Sequence, residues 1–195
     1  MKAYIHQVLQ IVLLTIAGTA GAVVLGLLAY GTNVFDVSSA GFSYISFGLS
    51  TSLIFAFYHV RGLSESITAA VVTSAVQFVL SSSAIAMLRA GLFSFGLNLP
   101  VVVLAFLFER KLMSMSKVRF LVVGLTFGCM FVLLTLLVGA LSGTTGLPAT
   151  LFQQNFIDGV LLGLGVGLGV GAGEALLHSL QHSPGEHGAS TTKHP

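Results

Sequence analysis

Residues 156–179 read FIDGVLLGLGVGLGVGAGEALLHS, an apolar stretch with glycine at every second or fourth position. A strand with this alternation would leave backbone groups unpaired in lipid, where only helices and closed barrels satisfy them. A helix is therefore predicted. Because four residues make slightly more than one helical turn, the glycines form two rows on nearly opposite faces. The first row is Gly159, Gly163, Gly167 and Gly171, and the second is Gly165, Gly169 and Gly173.

Both glycine rows are predicted to pack against neighbouring helices. Each glycine costs about 0.8–1.0 kcal/mol of helix propensity relative to alanine, and close approach between helix backbones offsets that cost in membranes. The pattern favours a central helix surrounded by its own bundle. The alternative places one row inside the fold and docks the other on a separate subunit.

The composition predicts a membrane protein. Hydrophobic residues make up 55% of the chain and charged residues 7%, and the mean hydropathy is +0.98. A soluble domain has about 25% charged residues because water-facing surface requires them. The net charge of +2 is scattered and indicates no nucleic-acid partner. We therefore expect an all-α, polytopic transmembrane bundle in the cell membrane (plasma or inner), with the lipid bilayer as its partner.

Polar breaks between apolar runs predict six spans in a single domain over residues 1–182. A break at Arg89 is the weakest, and five spans are the alternative. The first span also resembles a cleavable signal peptide, but its apolar run continues to Leu28, which favours a retained helix. Residues 183–195 are predicted to be a disordered cytoplasmic tail. The predicted spans are 8–30, 41–60, 66–88, 92–112, 118–141 and 156–179.

The basic residues predict the orientation. With six spans, alternate loops place all of them except Arg89 on one side of the membrane, which the positive-inside rule identifies as cytoplasmic. Both termini are therefore predicted to be inside. The basic residues on that side are Lys2, Arg61, Arg110, Lys111, Lys117, Arg119 and Lys193.

Uncharged polar side chains recur on three predicted spans. If these faces converge, they form a polar pocket between spans 2, 3 and 4 that suits a small neutral solute. The alternative is hydrogen bonding between helices, which contributes about 0.6 kcal/mol per bond on average in membranes. The candidate substrate-binding residues are Ser46, Ser50, Ser74, Gln77 and Asn98.

Ionisable residues are few within the spans. Asp158 is predicted to form a capping box with Asn155 at the start of the last span. At its other end, the weak metal-site candidates are His59, Glu174, His178 and His182. Neither an HExxH motif nor a cysteine cluster accompanies them, so interfacial histidines without a metal are favoured. We expect no metal and no cofactor.

The chain carries no recognisable catalytic motif, and we expect that it is not an enzyme. Two functions remain. The first is a transport component for a small neutral solute. The alternative is a non-catalytic subunit or assembly factor that docks other membrane subunits through its glycine-rich last helix. In topology alone, the predicted layout resembles the substrate-binding membrane components of vitamin transporters, and this resemblance carries over no site residues.

Overall fold

The computed structural model describes residues 2–31, 40–80, 103, 116–141 and 149–181. These residues form five α-helices and no strand, so the predicted all-α class is confirmed for this part of the chain. Two of the helices, the first and the last, are long and apolar enough to cross a membrane. The helices are α1 (Lys2–Tyr30), α2 (Ala40–Arg61), α3 (Leu63–Leu80), α4 (Ser116–Leu141) and α5 (Ala149–Gln181).

Some predicted features lie outside the described residues. They are the fourth span apart from Val103, the break at Arg89 and the tail from residue 183.

Helix α5 begins earlier than the sequence pattern predicted. It starts at Ala149, seven residues before the predicted boundary at 156. Asn155 therefore lies inside the helix, and the predicted capping box of Asn155 and Asp158 is wrong. The physical reason is that residues 149–158 contain neither glycine nor proline, so nothing interrupts the helix before Asp158.

Helix α5 lies between α1 and α4, α1 also packs against α2, and α2 packs against α3. The helices α1 and α2 run antiparallel, because the Arg61 guanidinium lies over the Tyr4 ring, 5.4 Å from its centroid, while the rings of Tyr30 and Tyr44 are 6.0 Å apart. The turn from α2 to α3 is made at Gly62, whose φ is 102°. Its amide donates to the Tyr58 carbonyl at 3.0 Å.

The interface between α1 and α5 is formed by backbone contacts at glycines. A Cβ atom on Gly165 would lie 2.5 Å from Ala22 Cα, and one on Gly169 would lie 2.8 Å from Gly18 Cα. Real Cβ atoms do not approach other atoms so closely, so only glycine fits at these positions. The two helices are antiparallel, with the start of α1 beside the end of α5.

The opposite side of α5 packs against α4 in the same manner. A Cβ atom on Gly159 would lie 2.9 Å from Gly128 Cα, and one on Gly163 would lie 2.8 Å from Gly124 Cα. This register makes α4 antiparallel to α5. Gly159 and Gly163 of the first row therefore contact α4, and the second row contacts α1, both within the same chain.

The helix directions bring five helix termini to one end of the bundle, which we call the basic end. It comprises the starts of α1, α3 and α4 and the ends of α2 and α5. Lys2, Arg61 and Lys117 occupy the first or last turns of their helices there. The other end, which we call the tyrosine end, carries Tyr30 and Tyr44.

Candidate functional site

A polar cavity of about 270 Å³ lies at the basic end between α1, α2 and α5. This volume lies just below the range of about 300–1,000 Å³ that is common for small-molecule pockets. Five of its eight lining residues are polar, although the surrounding helices are mostly apolar. The lining residues are Gln7, Gln10, Leu14, His59, Val60, Glu174, Leu177 and His178.

Helical spacing explains how these side chains come together. Gln7, Gln10 and Leu14 follow at steps of three and four residues, which places them on one face of α1. Glu174 and His178 are four residues apart on α5. Because α1 and α5 are antiparallel, these two faces meet, and the last turn of α2 closes the third side.

The cavity begins where the glycine contact ends. A Cβ atom on Gly173 would lie 3.0 Å from Ala17 Cβ and 3.3 Å from Leu14 Cδ2, a looser fit than at Gly165. Beyond Gly173, Glu174 on α5 and Gln10 on α1 line the cavity.

Glu174 pairs with the histidine of α2 in this cavity. His59 Nδ1 lies 3.3 Å from Glu174 Oε1, and the two side chains are 33% and 26% exposed. The contact is an ion pair when the imidazole is protonated. Both side chains line the cavity.

Three of the four weak metal candidates, His59, Glu174 and His178, therefore line one cavity. His182 lies outside the described residues. Within the described part of the chain, no three His, Cys, Asp or Glu side chains are placed to hold a metal ion together.

A second polar cluster lies at the tyrosine end. The Tyr30 hydroxyl donates a hydrogen bond to Asp158 Oδ1, and the Tyr44 hydroxyl donates to the same oxygen at 3.4 Å. The two rings meet edge to face at an interplanar angle of 61°. Asp158 thus joins α1, α2 and α5, a role that differs from the predicted helix cap.

The two clusters stand at opposite ends of one helix junction. Glu174 follows Asp158 by sixteen residues, which corresponds to about 24 Å along a helix. Between them, a Cβ atom on Gly18 would lie 2.5 Å from Ser52 Oγ and 2.9 Å from Val170 Cγ2. Ser52 is fully buried, and its hydroxyl has no hydrogen-bond partner among the described residues. The junction is therefore closed in the middle.

The residues of the predicted pocket between spans 2, 3 and 4 are only partly described. Ser50 is buried, and its hydroxyl donates to the Phe47 carbonyl of its own helix at 3.1 Å. Asn98 and the side chains of Ser46, Ser74 and Gln77 lie outside the described part. That pocket stays a prediction.

Sequence reasoning missed Gln7, which precedes the predicted first span of 8–30, and Gln10, which lies inside it. Their three-residue spacing, continued by Leu14, was the available signal. It also missed Tyr30 and Tyr44, although both flank the first predicted loop. Two tyrosines on either side of one loop come to the same end of an antiparallel pair.

No protein-family model matches this chain, and a significant match is found neither among curated proteins nor among solved structures. The polar cavity at Glu174 and the cluster at Asp158 are thus the features on which a functional proposal rests.

Proposed function

We propose that the protein is a multi-pass protein of the cell membrane that serves as a transport component for a small solute, with the cavity at Glu174 as its binding site. The observation that carries this proposal is the 270 Å³ cavity, whose lining is mostly polar within a bundle of apolar helices. Ionisable groups inside membrane helices are costly to bury, and they commonly mark a substrate pathway.

Exposed apolar side chains support more than two membrane spans. On α4, Leu121, Leu125, Leu133 and Leu137 are 58%, 54%, 54% and 51% exposed. On α3, Val71, Val72 and Val76 are about half exposed. Apolar surface of this extent is unfavourable in water by about 25 cal/mol per Å², whereas lipid solvates it. We therefore assign α2, α3 and α4 to the membrane as well, in the six-span layout predicted from the sequence.

The helix directions support cytoplasmic placement of the basic end. Lys2, Arg61 and Lys117 belong to helix termini that meet there, and lysine and arginine concentrate on the cytoplasmic side of membrane proteins. Both chain termini are then inside. The cavity at Glu174 opens toward the cytoplasm, and the cluster at Asp158 lies toward the outside.

The closed centre of the junction supports transport. Away from the cavity, the three helices pack closely, and a Cβ atom on Gly18 would lie 2.5 Å from Ser52 Oγ and 2.9 Å from Val170 Cγ2. Transporters alternate between states in which one side is open and the other closed. This arrangement corresponds to a state open toward the basic end.

The alternative function as a docking subunit receives less support. It requires a glycine row of α5 to be available to a partner, yet Gly159 and Gly163 contact α4, and Gly165 and Gly169 contact α1. A partner would have to displace one of the chain's own helices.

A solute screen on the purified protein tests the proposal. Small amines, amides, carboxylates and sugars are added to the protein in mild detergent, and its Tm is measured. One class is expected to raise Tm saturably, because a ligand at a hundred times its Kd stabilises the folded state by about 2.7 kcal/mol. The substitution Gln10→Ala should remove this rise, whereas Tyr4→Phe outside the cavity should keep it. A stable protein whose Tm is raised by no solute, and which co-purifies with another membrane protein, would favour the docking function.

A further inference from the structure

We propose that Asp158 is a proton-binding site and that its protonation opens the tyrosine end of the bundle. The inference rests on the proposed function, since it supplies the step by which a transporter open at the basic end opens at the other end. The proton is bound apart from the solute. Asp158 and the cavity residue Glu174 are sixteen residues apart on α5, which corresponds to about 24 Å along a helix.

Asp158 is a half-buried carboxylate at the meeting point of three helices. It belongs to α5, and its Oδ1 accepts hydrogen bonds from the Tyr30 hydroxyl of α1 and the Tyr44 hydroxyl of α2. Because both phenols bind Oδ1, a proton can be taken up at Oδ2 without displacing either ring. Carboxylates within membrane helices commonly serve as proton relays.

The titratable groups that face Asp158 are the two phenols, Tyr30 from α1 and Tyr44 from α2. On the other side of α5, α4 contributes Phe127 and Phe131 to the contact, and neither titrates. Among the residues that the structure describes, every lysine, arginine and histidine belongs to the basic end. A bound proton would therefore remove a charge that only phenol hydrogen bonds compensate here, and burial of such a charge is unfavourable.

The ligand groups of this site suit a proton better than a metal cation. Hard metal ions such as Ca²⁺ and Mg²⁺ take about six or more oxygen ligands. The cluster offers one carboxylate and two phenol oxygens, and both phenols donate their protons to that carboxylate. A proton needs a single carboxylate oxygen.

Protonation weakens the contacts that close the tyrosine end. Hydrogen bonds to an ionised acceptor are roughly twice as strong as those between neutral groups, so a neutral Asp158 holds both phenols less strongly. Past the backbone contact of Gly21 with Gly165, the Tyr30 hydroxyl joins the last two turns of α1 to α5. When this bond weakens, the two helices can separate at the tyrosine end, with the glycine contact as the pivot.

A distance measurement across the tyrosine end tests the inference on the full-length protein in lipid nanodiscs. In a Cys129→Ala background, nitroxide labels are attached at Leu28→Cys on α1 and Gln153→Cys on α5, two exposed positions. Their separation is measured by double electron–electron resonance between about pH 8 and pH 5, where proteins are generally most stable. As the pH falls, we expect growth of a second population that is longer by about 5 Å, the size of a one-turn shift between packed helices.

Variants of the cluster and of two other acids make the test specific. Asp158→Asn resembles the protonated form, so its longer population should be present at every pH and should not respond to pH. Tyr30→Phe removes one phenol bond and should enlarge the longer population at the high end of the pH range, which also serves if Asp158→Asn does not fold. Glu65 is an exposed acid at the basic end and does not line the cavity. Glu65→Gln and Glu174→Gln should both keep the pH response.

Three outcomes would overturn the inference. They are a distance that does not change with pH, a pH response that persists in Asp158→Asn, and a longer population that appears on addition of Na⁺ at constant pH but not on acidification. The solute screen is a separate measurement. Solute binding and uptake without a pH response of the distances would overturn the proton site and leave the proposed function. A pH response that requires Asp158, in a protein that binds no solute, would support the proton site and overturn the proposed function.

Discussion

Tyr30 and Asp158 are 128 residues apart in the sequence, and the Tyr30 hydroxyl donates a hydrogen bond to Asp158 Oδ1. This bond fixes the last residue of α1 to α5 at the tyrosine end, opposite the cavity. The Tyr44 hydroxyl reaches the same oxygen at 3.4 Å, a longer and weaker contact. The two phenols thus hold the end of α1 and the beginning of α2 together on one carboxylate.

Removal of the Tyr30 hydroxyl should destabilise the bundle. Hydrogen bonds between membrane helices contribute about 0.6 kcal/mol on average and up to about 1.7 kcal/mol, and we expect Tyr30→Phe to fall in the upper part of this range. Tyr44→Phe should cost less because its bond is longer. Unfolding in detergent measures both, and Tyr4→Phe, at an exposed position, is the control. A larger loss for Tyr44→Phe than for Tyr30→Phe would contradict the geometry of the cluster.

Substitution of Gly165 should show how closely α1 and α5 approach. We expect the Tm to fall in the order wild type, Gly165→Ala, Gly165→Leu, because even a Cβ atom would lie 2.5 Å from Ala22 Cα. Overpacking costs about 1–3 kcal/mol, more than the gain in helix propensity of about 0.8–1.0 kcal/mol. The same order is expected at Gly163 against α4.

The control for the glycine substitutions is Ala172→Leu, at an exposed position of α5, which should leave the Tm nearly unchanged. If leucine is tolerated at both Gly163 and Gly165, the close approach of the backbones is refuted.

Two glycines with positive φ allow a test of backbone strain alone. An added Cβ would meet no atom within 4 Å at Gly31, where φ is 60°, or at Gly62, where φ is 102°. A left-handed residue costs about 1–2 kcal/mol, so Gly31→Ala should destabilise by that amount. Gly62→Ala should cost more, up to about 3 kcal/mol, because its φ lies beyond the left-handed region near +60°. Chemical unfolding of both variants provides the comparison, and equal losses would contradict the described turn at Gly62.

The sequence predicted the bounds of the helices better than it predicted which helices pack against one another. Apolar runs bounded by polar breaks placed α2 and α4 within a few residues of their observed bounds, because lipid-like composition and helix length are local properties. The start of α5 was missed since residues 149–155 are polar enough to resemble a loop yet contain no helix breaker. Local polarity does not determine where a helix begins when nothing interrupts it.

The candidate site was harder to predict because it depends on which helices meet. Periodicity placed the glycines of α5 on two faces but did not show that α1 would cover one and α4 the other. His59 and Glu174 were both candidates, but their 3.3 Å contact requires the packing of α2 near the end of α5. The tyrosines on Asp158 likewise come from helices distant in sequence. Such pairings are set by tertiary contacts, which the sequence pattern of a single helix does not contain.

The proposed orientation predicts opposite labelling at the two ends of the bundle. Ser64 lies in the first turn of α3 at the basic end, and Gln153 lies near the start of α5. Both residues are exposed. In a Cys129→Ala background, Ser64→Cys should react with an impermeant maleimide only after the cells are permeabilised. Gln153→Cys should react in intact cells. Reaction of both cysteines from the same side would refute the membrane topology.

Solute uptake by reconstituted protein tests the transport proposal most directly. The solute that binds most tightly in the screen is radiolabelled, and its accumulation is measured in proteoliposomes that contain wild type, Glu174→Gln or Glu65→Gln at equal density. We predict saturable uptake by wild type and by Glu65→Gln, and uptake no greater than in empty liposomes for Glu174→Gln. Tight binding by the folded wild-type protein without uptake in either membrane orientation would contradict the proposal.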